Sequence, residues 1–573
     1  MRHHASIPSV PVGHRAVRDA IESGRYSVLT SDVFDTLVWR PAARPHHLWI
    51  QLGLRLAADG HLPGHVTPRE FATARVRAED RSRAATGVTD RAPEVTVEEI
   101  WQQMPGVWLT RPVSDYVRDE ITFESTILRT HAAAVECLAL ARSRGMRVVL
   151  VSDTYLSAAQ LETLLRAAGV PASWDAVIVS SEHRRSKADG LLEIALRAEG
   201  MSPTQALHIG DHPISDVAAA LGCGATAVQL SLPASGDTVE GAHRPFDRYS
   251  DDHGSDGGRA GALRDTVNEA GVAALDPSFQ FGALVAAPLV AGFSGWASAT
   301  AAALGSGTVH CLLREGGTIA EVMRAVAPGG PRPATLHASR WAVLRAAVFE
   351  GNEDELFAAL ARRADLVPQH VTDAFGVDVR LVREVIGAGP HDHRTRALAL
   401  RSLAANDELR GQIIDASARL RSNAQRYLEH ALHVDDGPIV LCDVGWSGMI
   451  QHGLTGIFRD AGIDRDVVGL YCATTVNAEE RVSQGALMKW YLPTSGLHGQ
   501  AERATGAIVR YPELLERILT PPIGTLLSFN DDGQPVCKSE TEQRSPSLDA
   551  AQQGLAAAVA HLAPSVRAET TRW

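Results

Sequence analysis

The chain has no closely spaced cysteine pair and no excess of positive charge, and each shortage narrows what it can be. Its six cysteines, Cys137, Cys223, Cys311, Cys442, Cys472 and Cys537, are scattered without a CxxC pair, so the spacing encodes neither a zinc site nor a redox couple. Cys311, Cys442 and Cys472 stand inside apolar runs and read as small buried hydrophobes. Reduced thiols fit the cytoplasm, the expected location. A net charge of -12 argues against a nucleic-acid partner, because phosphate backbones are held by local excesses of basic side chains. The opening Met1-Arg2-His3-His4 leads into no apolar core of a signal sequence. Residues 281–304 are rich in Ala, Val, Leu and Gly, yet Pro288, Ser294, Ser298 and Thr300 interrupt them. That stretch reads as a buried helix, and no membrane span is expected.

What is present is an ordinary globular composition, 45% hydrophobic and 21% charged over 573 residues, enough for roughly three or four folding units. Five short apolar, β-branched runs, at 26–30, 147–151, 174–180, 206–209 and 225–230, each precede a polar turn or a helical pattern. Such runs read as a parallel sheet covered on both faces. Between the first two lie more than a hundred residues with helical periodicity, including 68–85 and 113–142. The fold class is therefore α/β, a Rossmann-like parallel sheet with a helical cap, followed by a second α/β domain with runs at 308–313, 334–338, 438–443 and 466–474. The expected boundaries are a core over 16–236 with the cap at about 41–140, a Gly/Asp/Ser-rich flexible linker over 237–270, a second domain over 271–530, and a solvated tail with a terminal helix over 531–573.

The chemistry gathers where the first-half strands end. Asp32 follows the first, within Asp32-Val33-Phe34-Asp35-Thr36-Leu37. Ser152 and Asp153 follow the second. Lys187 opens a helix after the third, and Asp211 and Asp216 follow the fourth within Gly210-Asp211-His212-Pro213-Ile214-Ser215-Asp216. Ligands of open parallel sheets bind outside the carboxyl ends of the strands, so an acid, a hydroxyl, an amine and an acidic pair converge on one crevice. A carboxylate attacks phosphorus only when the phosphate charge is neutralised, and magnesium, which prefers oxygen ligands, does this between carboxylates. On this reading Asp32 is the nucleophile, Asp32, Asp211 and Asp216 take the Mg2+, Lys187 supplies a point charge, and Ser152 donates to a phosphoryl oxygen.

At these residues the chain resembles the haloacid dehalogenase superfamily: DVFDTL matches its first motif, VLVSDT its second, Lys187 its third and GDHPISD its fourth. The resemblance covers about residues 25–230. It implies a cap closing over Asp32, a phosphate-binding set of Thr36, Ser152, Asp153 and Lys187, the main-chain carbonyl of Phe34 in the metal shell, and a small phosphorylated substrate. Arg40, His46, His47 and Trp49, just after the first motif, are candidate substrate contacts or a solvated cap hinge.

One position departs from that pattern. Most phosphatases of the superfamily carry a second Asp two residues after the nucleophile, where this chain has Phe34. Side chains two apart on a strand share a face, and the missing acid–base help is worth roughly 10²–10⁴ in rate. Either the leaving group is good, or Asp35, His212 or a cap residue handles the proton, or catalysis is weak. An aromatic residue there also occurs in the dehalogenase branch, so a 2-haloacid dehalogenase is an alternative; the retained Asp211 and Asp216 argue for phosphate.

In the second half, strand ends carry Arg314-Glu315-Gly316-Gly317, Ser339-Arg340 and Asp443-Val444-Gly445-Trp446-Ser447-Gly448. Glycine-flanked turns present N–H groups to anions, and guanidiniums add charge-assisted bonds, so Arg314, Arg340, Asp443 and Ser447 form a candidate second site. DVFDTL, SDTYLS, SR and DVGWSG together resemble a group of two-domain bacterial hydrolases often found alongside glycosyltransferases. That resemblance implies sugar-phosphate or nucleotide-sugar substrates and an association with glycan assembly, with a non-catalytic, regulatory phosphate binder as the competing role.

Overall fold

The five apolar runs before residue 231 become β1 (Val28–Ser31), β4 (Arg147–Ser152), β5 (Ala176–Val179), β6 (Ala206–Gly210) and β7 (Thr226–Gln229), with two-residue strands β2 (Val38–Trp39) and β3 (Arg129–Thr130) between the first two. The computed structural model describes residues 10–41, 45–85, 94–230, 258–270, 276–351, 360, 365–392, 395–432, 437–492, 510–539 and 545–570. Two units divide the chain, Met1–Gln280 and Phe281–Trp573.

In the first unit the sheet runs β5-β4-β1-β6-β7, every neighbouring pair parallel. All four residues of β1 are buried, as a strand covered on both faces must be. The chain leaves β1 and later crosses to β4 on one side and β6 on the other, so the strand order reverses beside β1. That switch point is where such sheets open a crevice.

The insertion after β1 is bounded by β2 and β3, which pair antiparallel, Val38 with Thr130 and Trp39 with Arg129. Helices Pro45–Ala58, Pro68–Ala85, Val97–Gln102 and Val113–Ile127 fill it. Thr96 and Glu99 form a capping box at the third of these, satisfying two otherwise orphaned amides. The expectation of one helical stretch over 113–142 is corrected: β3 breaks it, and Ala132–Ser143 packs on the helix His14–Glu22 and on β4. The insertion therefore closes near residue 128, short of the expected 140. Its centre holds Trp101 stacked on Tyr116 at 5.1 Å and a fully buried Arg75–Glu120 ion pair at 2.7 Å.

The expected linker is also corrected in part. Residues 237–257 lie outside the described residues, but Gly258–Glu269 is a helix. Leu263 and Val267 bury one stripe of it, and Asp265 accepts a 2.8 Å hydrogen bond from Trp39 Nε1. The glycine-rich surroundings hid this short amphipathic period.

In the second unit, β8 (Thr308–Leu313), β9 (Arg332–His337), β10 (Ile439–Asp443), β11 (Val467–Ala473) and β12 (Leu487–Leu492) form a parallel sheet ordered β12-β11-β10-β8-β9. Between β9 and β10, helices Pro368–Phe375, Val379–Ile386, Arg396–Ala405 and Asp407–Ala431 include an apolar cluster of their own around Leu366, Leu400 and Ile413. Pro277–Ala303 is long and apolar enough to cross a membrane by length and composition, and 83% of its most apolar window is buried inside the structure. The expected tail is structured among its described residues. β13 (Leu526–Phe529) and β14 (Pro535–Cys537) form a hairpin, and Pro546–Thr570 is a helix that buries Leu555, Val559 and Leu562. It packs against the apolar helix at Gly282, where a Cβ would fall 1.8 Å from the Ala551 carbonyl oxygen.

Candidate active site

Asp32 leaves the carboxyl end of β1 with its amide donating to the Ile209 carbonyl of β6 (2.9 Å), which fixes it at the switch point. Lys187, on the 3₁₀ turn Lys187–Asp189, reaches back so that its Nζ donates to Asp32 Oδ1 at 2.6 Å and to Asp216 Oδ1 at 2.5 Å. The Lys187 side chain is 2% exposed and that of Asp216 1%. Carboxylate oxygens of Asp32, Asp211 and Asp216 lie within 4.8 Å of one another. Four of the residues expected from sequence thus converge.

Asp216 is delivered by an unusual turn. Pro213–Ala218 forms a π-type turn, a form that recurs at functional sites. His212 Nδ1 accepts from the amides of Ile214 (3.2 Å) and Ser215 (3.1 Å), and the His212 amide donates to Asp216 Oδ2 at 2.9 Å. The carboxylate folds back over Gly210, where a Cβ would stand 2.3 Å from Asp216 Cγ. Only glycine leaves that space.

His208 is a contributor that the sequence reading missed. It lies on β6 opposite Thr30 of β1, with Nδ1 2.9 Å from Thr30 Oγ1 and Nε2 3.2 Å from Asp216 Oδ1. Burial lowers its pKa, against the hydrogen bond and charge of Asp216. In the tautomer with Nε2–H donating to the carboxylate, Nδ1 accepts from Thr30 Oγ1. The available signal was a histidine inside the apolar run ALHIG.

The remaining expected residues divide. Ser152 Oγ, at the end of β4, is buried and has no hydrogen-bond partner among the described residues, an orphan donor that a ligand oxygen would satisfy. Thr36 is buried with its hydroxyl 3.5 Å from Asp32 Oδ2. Asp153 Oδ1 accepts the Lys187 amide at 2.8 Å, so its side chain fastens the lysine turn. The Phe34 ring packs against the main apolar cluster with the Arg40 guanidinium 3.9 Å above it. Arg40 in turn bonds Glu124 through Nε (3.0 Å) and Nη2 (2.9 Å), and Tyr155 Oη donates to Glu124 (3.0 Å). Trp49 is buried beneath the Arg75 guanidinium, 4.4 Å away, hence part of the insertion's core. The side chains of His46 and His47 lie outside the described residues.

The electrostatics follow from burial. Desolvation pushes Asp32 up to about 8 against the pull of Lys187, and Asp211 up to about 7 with Asp35 and Asp216 adding repulsion. Asp216 is desolvated too, but hydrogen bonds and charge from His208 and Lys187 take it well below the usual carboxylate range. Lys187, although buried, is held above the ordinary lysine value by Asp32, Asp216 and Asp153. The raised Asp32 and Asp211 carboxyls show that one ammonium does not compensate three carboxylates, and an oxygen-only donor set that needs further positive charge to ionise suits a hard divalent cation.

In the second unit, Arg314, Arg340, Asp443 and Ser447 line one cavity of about 290 Å³ at the carboxyl ends of β8, β9 and β10.

Fold and site define a parallel α/β domain whose acids and lysine meet beside the central strand. Residues 28–224, about a third of the chain, match the family model described as haloacid dehalogenase-like hydrolase. No curated protein sequence matches the chain. Among solved structures, it is similar to a HAD phosphatase from Thermococcus onnurineus (16% identity, 35% of this chain and 85% of that one, TM-score 0.25). It is also similar to L-2-haloacid dehalogenase from Xanthobacter autotrophicus (17%, 37% and 80%, TM-score 0.27) and to CbbY from Rhodobacter sphaeroides in complex with phosphate (18%, 36% and 85%, TM-score 0.25).

Proposed function

We propose that the first unit is a magnesium-dependent phosphohydrolase or phosphotransferase acting on a small phosphorylated metabolite through an aspartyl-phosphate on Asp32. The observation that carries this is the Lys187 ammonium bridging Asp32 and Asp216 with Asp211 alongside. A magnesium ion held by Asp32, Asp211 and Asp216, with the Phe34 carbonyl as a further oxygen, would neutralise charge on the transferring phosphoryl group. An Asp32 carboxylate oxygen attacks phosphorus and the bond to the leaving oxygen breaks. Lys187 offsets negative charge at the nucleophile, and Ser152 Oγ–H donates to a phosphoryl oxygen. Water then cleaves the acyl phosphate, releasing phosphate and restoring Asp32. His208 and Asp153 are positioning residues, acting through Asp216 and Lys187.

The test is phosphate release from a panel of sugar phosphates and acyl phosphates, and nucleoside monophosphate release from nucleotide sugars, each with and without magnesium. Turnover that needs magnesium and vanishes in Asp32→Asn is expected. A wild type no faster than Asp32→Asn on every compound removes the proposal. Phe34 favours one second reading, hydrolysis of a 2-haloacid, which would appear as halide release indifferent to chelation.

A further inference from the structure

We propose that the cavity at the carboxyl ends of β8, β9 and β10 binds a neutral, polyhydroxylated ligand the size of one sugar ring. Its place in the fold is the first argument. From β8 the chain moves to β9 on one side, and β10 returns to β8's other side before the sheet continues through β11 to β12. The reversal falls between β8 and β10, and the cavity is lined by Leu313 at the end of β8 with Arg314 and Glu315 after it, and by Asp443 at the end of β10 with Gly445 and Trp446 after it. A crevice at the carboxyl ends beside a reversal is where open α/β sheets take ligands. A larger groove, about 1480 Å³, runs past the amino ends of β10 and β11 at Pro438, Asp466 and Val467, the end this rule does not favour.

The lining selects the chemistry. Two guanidiniums, Arg314 and Arg340, share the wall with three carboxyls, Glu315, Asp443 and Glu516. Ionised carboxylates only accept hydrogen bonds and guanidiniums only donate them. With the Asp443 carboxyl kept uncharged at neutral pH by burial, a phosphate or carboxylate ligand would meet two repelling carboxylates, Glu315 and Glu516, and two attracting guanidiniums. An ammonium ligand meets the same balance reversed. Hydroxyl groups both donate and accept, so a polyol can satisfy the acids and the arginines together. Burial, with Glu315 and Glu516 close by, pushes Asp443 up to about 8, which turns its carboxyl into a donor at neutral pH. Trp446 gives the wall an apolar surface held in place by its Nε1 donating to Glu516 at 2.8 Å, and an aromatic surface accepts the carbon face of a sugar ring. The volume stands near the lower limit for small-molecule sites, ~300 Å³, which suits a single ring.

The experiment uses the full chain, with glucose, mannose, galactose and N-acetylglucosamine as probes in saturation-transfer NMR and titration calorimetry, beside inorganic phosphate and glycine. At least one sugar is expected to bind. Arg340→Ala, an exposed position, and Ser447→Ala should each weaken it about tenfold or more with unchanged melting temperature, while Asp32→Asn leaves it intact. Binding by none of the four sugars at roughly 10 mM, a weak-affinity ceiling, overturns the proposal. So does sugar binding indifferent to both second-unit variants, or phosphate or glycine binding that those variants abolish.

Discussion

Gly210→Ala tests the geometry of the site through one carbon atom. The added Cβ would sit 2.3 Å from Asp216 Cγ and 2.6 Å from its Oδ2, so relief requires a displacement of about 1 Å or more to restore ordinary packing distances. Asp216 has little room to move. It accepts from Lys187, His208 and the His212 amide, and its side chain is 1% exposed. Overpacking of a filled interior costs about 1–3 kcal/mol, which for a unit of this size lowers the melting temperature by roughly 2–12 °C. The second readout is magnesium. A cation that binds the folded state at a hundred times its dissociation constant stabilises by about 2.7 kcal/mol, and displacement of one carboxylate ligand should shrink that gain. Thermal melting of wild type and variant, each across a magnesium titration, measures both. A variant that melts with the wild type and keeps its full magnesium response would refute the reasoning, because Asp216 would then not need the space above Gly210.

Further outcomes follow from burial elsewhere in the first unit. Glu120→Ala leaves the fully buried Arg75 guanidinium only its longer contact with Glu79, 3.6 Å, and removes the acceptor of Trp101 Nε1, so urea unfolding should show a loss of about 3–5 kcal/mol, largely recovered by the apolar pair Arg75→Met/Glu120→Leu; a loss under 1 kcal/mol would contradict this. His131, whose Nδ1 lies 2.9 Å from the Thr36 carbonyl oxygen, is lowered by burial from 6.5 to about 4. The unfolded chain alone binds that proton between those values. Stability is therefore full above about pH 6.5 and falls toward pH 4 by up to about 3 kcal/mol, a slope that His131→Gln should flatten when denaturation is compared at pH 7.5 and 5. Phe34→Asp would put a carboxyl under the Arg40 guanidinium, which now stands 3.9 Å from the ring. Its pKa should fall below the range useful to a general acid, so turnover of poor leaving groups should not rise, and a gain of tenfold or more would count against the ion-pair argument.

How much of this was legible depended on burial. Strands covered on both faces announce themselves as apolar runs, and β1, β4, β6, β8 and β10 were readable for that reason. β12 was not, because as an edge strand it mixes exposed Leu487 and Lys489 with buried Tyr491 and Leu492, and its pattern matches no single period. β2 and β3 are two residues each, too short for any periodicity, yet they decide where the insertion ends. At the site, acids and a lysine at strand ends were visible as motifs, whereas His208 was masked by its apolar neighbours. A compositional signal for the lysine also went unused. Only Lys187, Lys489 and Lys538 occur in the chain, with arginine supplying the other positive charges, so a lysine kept at a strand-to-helix turn calls for a reason. Its three-donor, compact ammonium meets two carboxylates from different elements, which a planar guanidinium fork does less readily.

Phe34 bears on substrate more than on mechanism. The position two residues after Asp32 is closed by a ring, a guanidinium, the Glu124 carboxylate and the Tyr155 hydroxyl in sequence. Arg40 stays charged, and its bond to Glu124 raises its pKa against burial, so neither end of the stack offers a proton near neutrality. The burden on a departing group falls with its own basicity. A phosphoanhydride or acyl phosphate releases an anion that needs no proton at departure, while an alkyl phosphate releases an alkoxide that does. With roughly 10²–10⁴ of rate ordinarily supplied by general acid–base help, a site so closed should discriminate between these two classes by a margin of that order. The ranking of acyl phosphates, by phosphate release, and nucleotide sugars, by nucleoside monophosphate release, over simple sugar monophosphates then reads out Phe34 itself.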